Sequence, residues 1–218
     1  MALPVGLTNH AVNAIGDNLL RGQSNALPGA LYIAMIVATR GSSDTIRSVN
    51  VSPGDTVIPA TPNGHIYKCT TGGLTGSGEP SWTTASGSTV ADGAAVWTEQ
   101  TPNLENGIIT ECQGAGYARE LYNSTLANWS GTQGPGTTTP STGTSGTFSN
   151  NNTITLPTPG TSGANWGLLF GHMLFDALTA GNAWLFGALD TPKNVNIGDP
   201  APAYSATTLS FVLTRTVP

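Results

Sequence analysis

What most limits the folds open to this 218-residue chain is the segment 166–216, where three apolar runs follow one another, each short and closed by turn-formers. The runs are residues 166–175, 183–189 and 209–213; Gly181 and Asn182 break the first interval, and Gly198, Asp199 and Pro200 the second. Runs this short, rich in Trp, Phe, Leu and Val, suit strands better than helices. A Gly-Asn pair is a signal for a tight antiparallel turn. The runs are almost continuously apolar rather than alternating, so both faces of these strands should be covered. The segment therefore predicts a hairpin and a closing strand, and with them an all-β chain built as a β-sandwich or jelly-roll-like barrel.

One short N-terminal helix joins that plan. Residues 1–7 read as an extended apolar arm. Over 8–20, Ala11, Val12, Ile15, Leu19 and Leu20 recur at helical spacing, with Thr8 or Asn9 as N-cap and Arg21-Gly22 as stop. A helix of this length is not stable alone, so its apolar face is expected to plug one end of the barrel or to meet a neighbour. Residues 30–38 read as a core strand.

The chain then changes character. Residues 40–63, interrupted by Pro53, Pro59 and Pro62, read as a linker with a short strand at 56–58. Residues 64–100 read as an inserted small β module: a strand at 65–70, a Gly/Ser/Thr loop ending at Trp82, and two strands joined by Asp92-Gly93. Insertion into a surface loop costs a parent fold little closure entropy. That parent domain spans 1–39 and 106–218, with further strands at 107–112, 117–122 and 153–157 and a low-complexity, flexible loop at 130–146.

Composition narrows function. Charged residues make up 9% of the chain against about 25% in ordinary soluble domains, so the surface is polar through hydroxyls and amides, as in an assembly subunit. The formal charge is −5 and no basic cluster exists, which argues against nucleic acid as a partner. No apolar run is long enough for a membrane helix. The start lacks a secretion-signal pattern, which predicts synthesis in the cytoplasm. Cys69 and Cys112 are expected to be free thiols, and neither a metal site nor a cofactor is implied.

No catalytic constellation emerges. His10, His65 and His172 stand in unrelated contexts, and Glu79 and Asp92 are two carboxylates without a spacing motif, expected to be solvated. His172 and Asp176 share a strand face but are too far apart to touch. Tyr67, Trp82 and Trp97 are the candidate glycan or receptor contacts, because indole faces stack on sugar rings. Core packing is the simpler role, most of all for Trp97 within a strand. Arg119 is expected to fix a carboxylate inside the fold.

The ordered set Gly116-Tyr117-Ala118-Arg119, Trp166-Gly167, Phe175-Asp176-Ala177, Leu185-Phe186-Gly187-Ala188-Leu189 and Pro192-Lys193, with the Met-Ala-Leu start, resembles a family of small tailed-bacteriophage virion proteins often labelled phage tail fibre proteins. Residues 64–100 resemble a small β module of phage tail and surface proteins. The resemblance implies a non-enzymatic structural protein on the outer surface of a virion, made in the host cytoplasm. Its partners would be the major capsid protein or tail proteins and further copies of itself, with host surface glycan in reach of the module. The leading expectation is a capsid decoration, or cement, protein; the alternative is a tail-fibre or tail-tip component that binds a host receptor. Virion contact is expected through Leu3, Pro4, Val5, Leu7, Val12, Ile15 and Leu19.

Overall fold

The computed structural model describes residues 5–24, 26–38, 47–61, 63, 65–100, 110–143 and 146–213. The chain runs through β1 (Val5–Leu7), α1 (Asn9–Leu20), β2 (Tyr32–Ala38), β3 (Asn50–Val51), β4 (Thr56–Val57), β5 (Tyr67–Thr71) and β6 (Gly73–Leu74). It continues with β7 (Thr89–Asp92), β8 (Ala95–Glu99), β9 (Thr110–Glu111), β10 (Glu120–Leu121), β11 (Trp129–Ser130) and β12 (Thr147–Asn150). The last elements are β13 (Ile154–Thr155), β14 (Gly167–Phe175), β15 (Ala183–Val195), β16 (Ala203–Tyr204) and β17 (Ser210–Val212). The protein is thus mostly β with one short helix.

The hairpin expected from the apolar runs is the centre of the molecule. β14 and β15 pair antiparallel, β14 pairs on its other side with β2, and β1 and the short β9 and β10 complete a six-stranded sheet. The turn is closed by Asp176, whose carboxylate accepts from the Asn182 backbone N–H at 2.7 Å, while Gly181 takes a φ of 73°. Burial opposes charge on Asp176, but hydrogen bonds from Asn182 and Trp184 and the nearby His10 outweigh it and hold the carboxyl below its usual range.

Both faces of this sheet are covered. Along β2, Ile33 and Met35 enter one core while Ile36 and Ala38 enter another. The first core lies between the large sheet and a layer containing the sheet β11-β12-β17 and the pair β13-β16, with Leu174, Leu209, Phe211 and Trp166 buried in it. That is the sandwich. None of the sheets closes, so the barrel alternative is excluded for the described residues: the strands facing the large sheet are two to four residues long and pair with one another instead of bridging to its edges.

The second face is covered from an unexpected source. Ile58 and Ile66 pack there with Phe170, Met173 and Phe186. Residues 47–61, read from sequence as linker with one short strand at 56–58, carry that strand as β4 and a further one, β3; they pair with β5 and β6 respectively. The antiparallel sheet β4-β5-β8-β7 encloses its own core of Val51, Val57, Tyr67, Cys69, Val90 and Trp97. Residues 1–4, 40–46 and 107–109, which sequence assigned to the arm, the linker and a strand start, lie outside the described residues. The low-complexity stretch, read as flexible, folds back on itself where it is described: Thr142 N–H donates to Thr132 Oγ1 at 2.8 Å and Thr132 N–H to Ser141 Oγ at 3.2 Å.

Candidate functional site

The aromatic trio nominated from sequence is brought together, but as a core. Tyr67 and Trp97 face inward from β5 and β8 and are both 0% exposed, so neither offers a ring face to a sugar. Trp82 lies over Tyr67 at 4.4 Å between ring centroids, half-buried, its indole N–H held by Glu79 Oε1 at 2.9 Å. The strands are starved of aliphatic residues, so the aromatics must supply the buried area; this overrides their use as ligand contacts.

Asp92, expected to be solvated, is buried. Its carboxylate receives Arg47 through two hydrogen bonds at 2.8 and 2.7 Å, the Trp97 indole at 3.1 Å and the Gly76 N–H at 2.9 Å. Glu99, fully buried, meets His65 Nδ1 at 2.9 Å and the Gly87 N–H at 3.1 Å. These carboxylates are saturated by the fold and hold loops against strands. Glu79 remains exposed and binds the Ala60 N–H at 2.8 Å.

The N-terminal elements present a different surface. Thr8 caps α1, accepting from the Ala11 N–H, and Arg21 ends it. The helix docks on Trp184 through Ala11 and Ala14, the two positions small enough for close approach, with Leu7 beside them. The face expected to be buried is therefore shifted by about one residue position around the helix. Val12, Ile15 and Leu19 remain 53%, 40% and 78% exposed, and Leu20 is also exposed. Val5 lies on β1, paired with Gly187 of β15; Leu3 and Pro4 lie outside the described residues.

Each end of the Gly-Tyr-Ala-Arg motif has a structural task. Gly116 has a φ of 77° and lies so close to Thr158 O that a Cβ would stand 2.6 Å from it. The Tyr117 hydroxyl accepts from the Met35 N–H at 2.9 Å and donates to Glu111 at 3.0 Å. Arg119 grips the same carboxylate and donates to the carbonyls of Ala177 and Ala180 in the β14–β15 turn. This is the internal carboxylate partner expected of it.

His172 is buried, its Nδ1 within 3.2 Å of the Tyr204 hydroxyl, and burial lowers its pKa to about 4. Among the described residues, no carboxylate, serine or cysteine side chain bonds to it. Among the described residues no group of three or more His, Cys, Asp or Glu side chains is arranged to hold a metal, and no helix is long and apolar enough to cross a membrane. Sequence reasoning passed over a cavity of about 500 Å³ walled by Trp129, Phe148 and Phe211. Its only sequence signal was a tryptophan at the mouth of a Gly/Thr/Ser loop.

A family model described as Podophage GP4 fiber I protein gp80 matches residues 85–211, more than half of the chain, from the strands β7 and β8 to β17. No curated protein matches the chain.

Proposed function

Because the chain belongs to this podophage fiber family and is therefore a structural protein of the phage virion, we propose that it is a fibre subunit docked to its neighbours through the apolar stripe of α1. The observation that carries the reading is the pairing of a fixed helix with an unused face. Thr8, Ala11, Ala14 and Trp184 hold α1 in place, yet Val12, Ile15 and Leu19 are left in solvent. A stripe of three large aliphatics on a chain with so few charges supports contact with other virion proteins or further copies of itself.

The protein acts by surface complementarity, without catalysis, on the outside of the particle. The family description favours a fibre over capsid decoration, for which no observation in the fold speaks separately. Residues 64–100, with β3 and β4, constitute the inserted module, supported by the separate core around Tyr67 and Trp97. Of the three aromatics, only Trp82 is exposed enough to contribute to a receptor surface there.

Phage carrying Val12→Asp or Leu19→Asp test the docking stripe. Both purified variants should keep the wild-type melting temperature, because the side chains are exposed, while their copy number in purified virions falls several-fold. Normal incorporation of both would sink the α1 reading. Gold-labelled antibody against residues 64–100 should mark the tail; label spread over the head would restore decoration.

A further inference from the structure

The 500 Å³ cavity lies between the large sheet and the β11-β12-β17 sheet, and falls within the roughly 300–1,000 Å³ span of small-molecule sites. Its inner wall is aromatic and aliphatic: Trp129, Phe148, Phe211 and Leu185. Its outer wall is the Gly/Thr/Ser stretch, which brings Gln133 and the hydroxyls of residues 137–141 to the rim.

Three observations define what fits there. No charged side chain is among the described residues lining it, so an ion entering would lose hydration with no counter-charge to replace it. The Trp129 indole nitrogen is itself closed off from solvent and has no acceptor in the fold, so at Trp129 the cavity meets ring carbon rather than a donor. Finally, the rim is braced before any ligand arrives: besides the two backbone-to-hydroxyl bonds already described, Gln133 Nε2 donates to Thr142 Oγ1 at 2.6 Å. A braced rim lowers the ordering cost of binding.

We propose that this cavity is a binding site for neutral carbohydrate, taking one to a few pyranose rings. A pyranose has an apolar C–H face for the Trp129, Phe148 and Phe211 wall and hydroxyls for the hydroxyl-lined rim. An alkyl chain would satisfy the wall but leave the hydroxyl-lined rim without partners, and an acidic sugar would bring a charge that nothing lining the cavity neutralises. The site is separate from the α1 stripe and from the Trp82 surface. It stands or falls on the isolated protein, independently of where the chain sits in the virion.

The test is a titration of the full-length protein labelled with nitrogen-15, following the tryptophan indole resonances, with Trp129 assigned by Trp129→Phe. The probes are neutral oligosaccharides built from glucose, galactose, mannose and N-acetylglucosamine, each at about 10 mM, which saturates a site of millimolar affinity. Sialyllactose and dodecanol serve as the anionic and alkyl comparisons. At least one neutral probe should shift the Trp129 indole selectively. By calorimetry, Trp129→Phe should weaken that probe about five- to tenfold, as expected for the smaller ring face left to stack on the sugar. Leu126→Phe, at an exposed position on the cavity wall, should weaken binding with an unchanged melting temperature. Failure of every neutral probe, preference for dodecanol or sialyllactose, or unaltered affinity in both variants would overturn the proposal.

Discussion

Arg119 and Glu111 form a two-point contact across a chain reversal: Nε reaches Oε1 at 2.9 Å and Nη2 reaches Oε2 at 2.8 Å. The guanidinium also lies 3.6 Å over the Phe175 ring, and its remaining donor group, Nη1, holds the carbonyls at the tip of the β14–β15 hairpin. One side chain thus ties β9 to the turn of the central hairpin. Arg119→Ala leaves Glu111 without its counter-ion and is expected to cost about 3–5 kcal/mol, as for broken buried pairs. Arg119→Lys keeps the charge but not the planar fork and should cost about 1–3 kcal/mol. Urea unfolding measures both; a Lys variant as stable as the parent would show that the fork geometry is idle.

His172 gives the sandwich an acid sensitivity. Its folded pKa is about 4, below an unfolded value near 6.5, so the unfolded chain binds the proton more readily between those limits. Stability from this residue is complete above about pH 6.5 and is lost as pH falls toward 4. The loss should reach about 2 kcal/mol at pH 5. His172→Phe removes the titrating group, and its stability should fall less than the parent's between pH 7 and 5. Equal slopes in the two proteins would refute the assignment.

The turn at Gly93 is set by more than its dihedral. Its φ is 65°, and a Cβ there would lie 2.5 Å from Leu74 O and 2.7 Å from Gly76 N. Gly93→Ala should therefore destabilise by more than about 2 kcal/mol, strain and collision together. Gly134, at a φ of 87° with open space around it, is the control. Gly134→Ala should cost only the left-handed penalty, about 1 kcal/mol. Chemical denaturation of the pair distinguishes the two effects.

Cys69 and Cys112 are both buried thiols outside any disulfide, and burial pushes the Cys112 thiol up to about 11. Little Cys112 thiolate exists near neutrality, and both sulfurs are buried. Iodoacetamide at pH 8 should leave both unmodified in the native protein and alkylate both in denaturant, as read by intact mass. Fast native labelling of Cys112 would contradict its burial.

Much of the architecture was legible because its signals are short-range. Asp92-Gly93 and Gly181-Asn182 mark turns by residues that must take special dihedrals or hydrogen bonds, and both turns join adjacent paired strands. Thr8 and Arg21 mark the helix ends for the same reason. The unbroken apolar character of β14 announced a strand covered on both sides, and it is. What covers its second face was not readable. Ile58 lies in a stretch whose prolines read as linker, and only its meeting with Phe170 and Phe186, more than a hundred residues away, makes it core.

Residue type and near-neighbour spacing determined by themselves the long apolar strands, the turns at Asp92-Gly93 and Gly181-Asn182, the helix limits and a sparsely charged composition. Tertiary structure alone decided which face of α1 is buried, because that depends on where Trp184 places its ring. It also decided that Tyr67 and Trp97 are core rather than ligand contacts, and that Asp92 is gripped by Arg47 rather than solvated. It decided too that Trp129, unremarked in the sequence, walls a cavity. The reason is physical: turn and cap preferences act over a few residues, whereas burial and ion pairing are set by partners that the chain brings together only on folding.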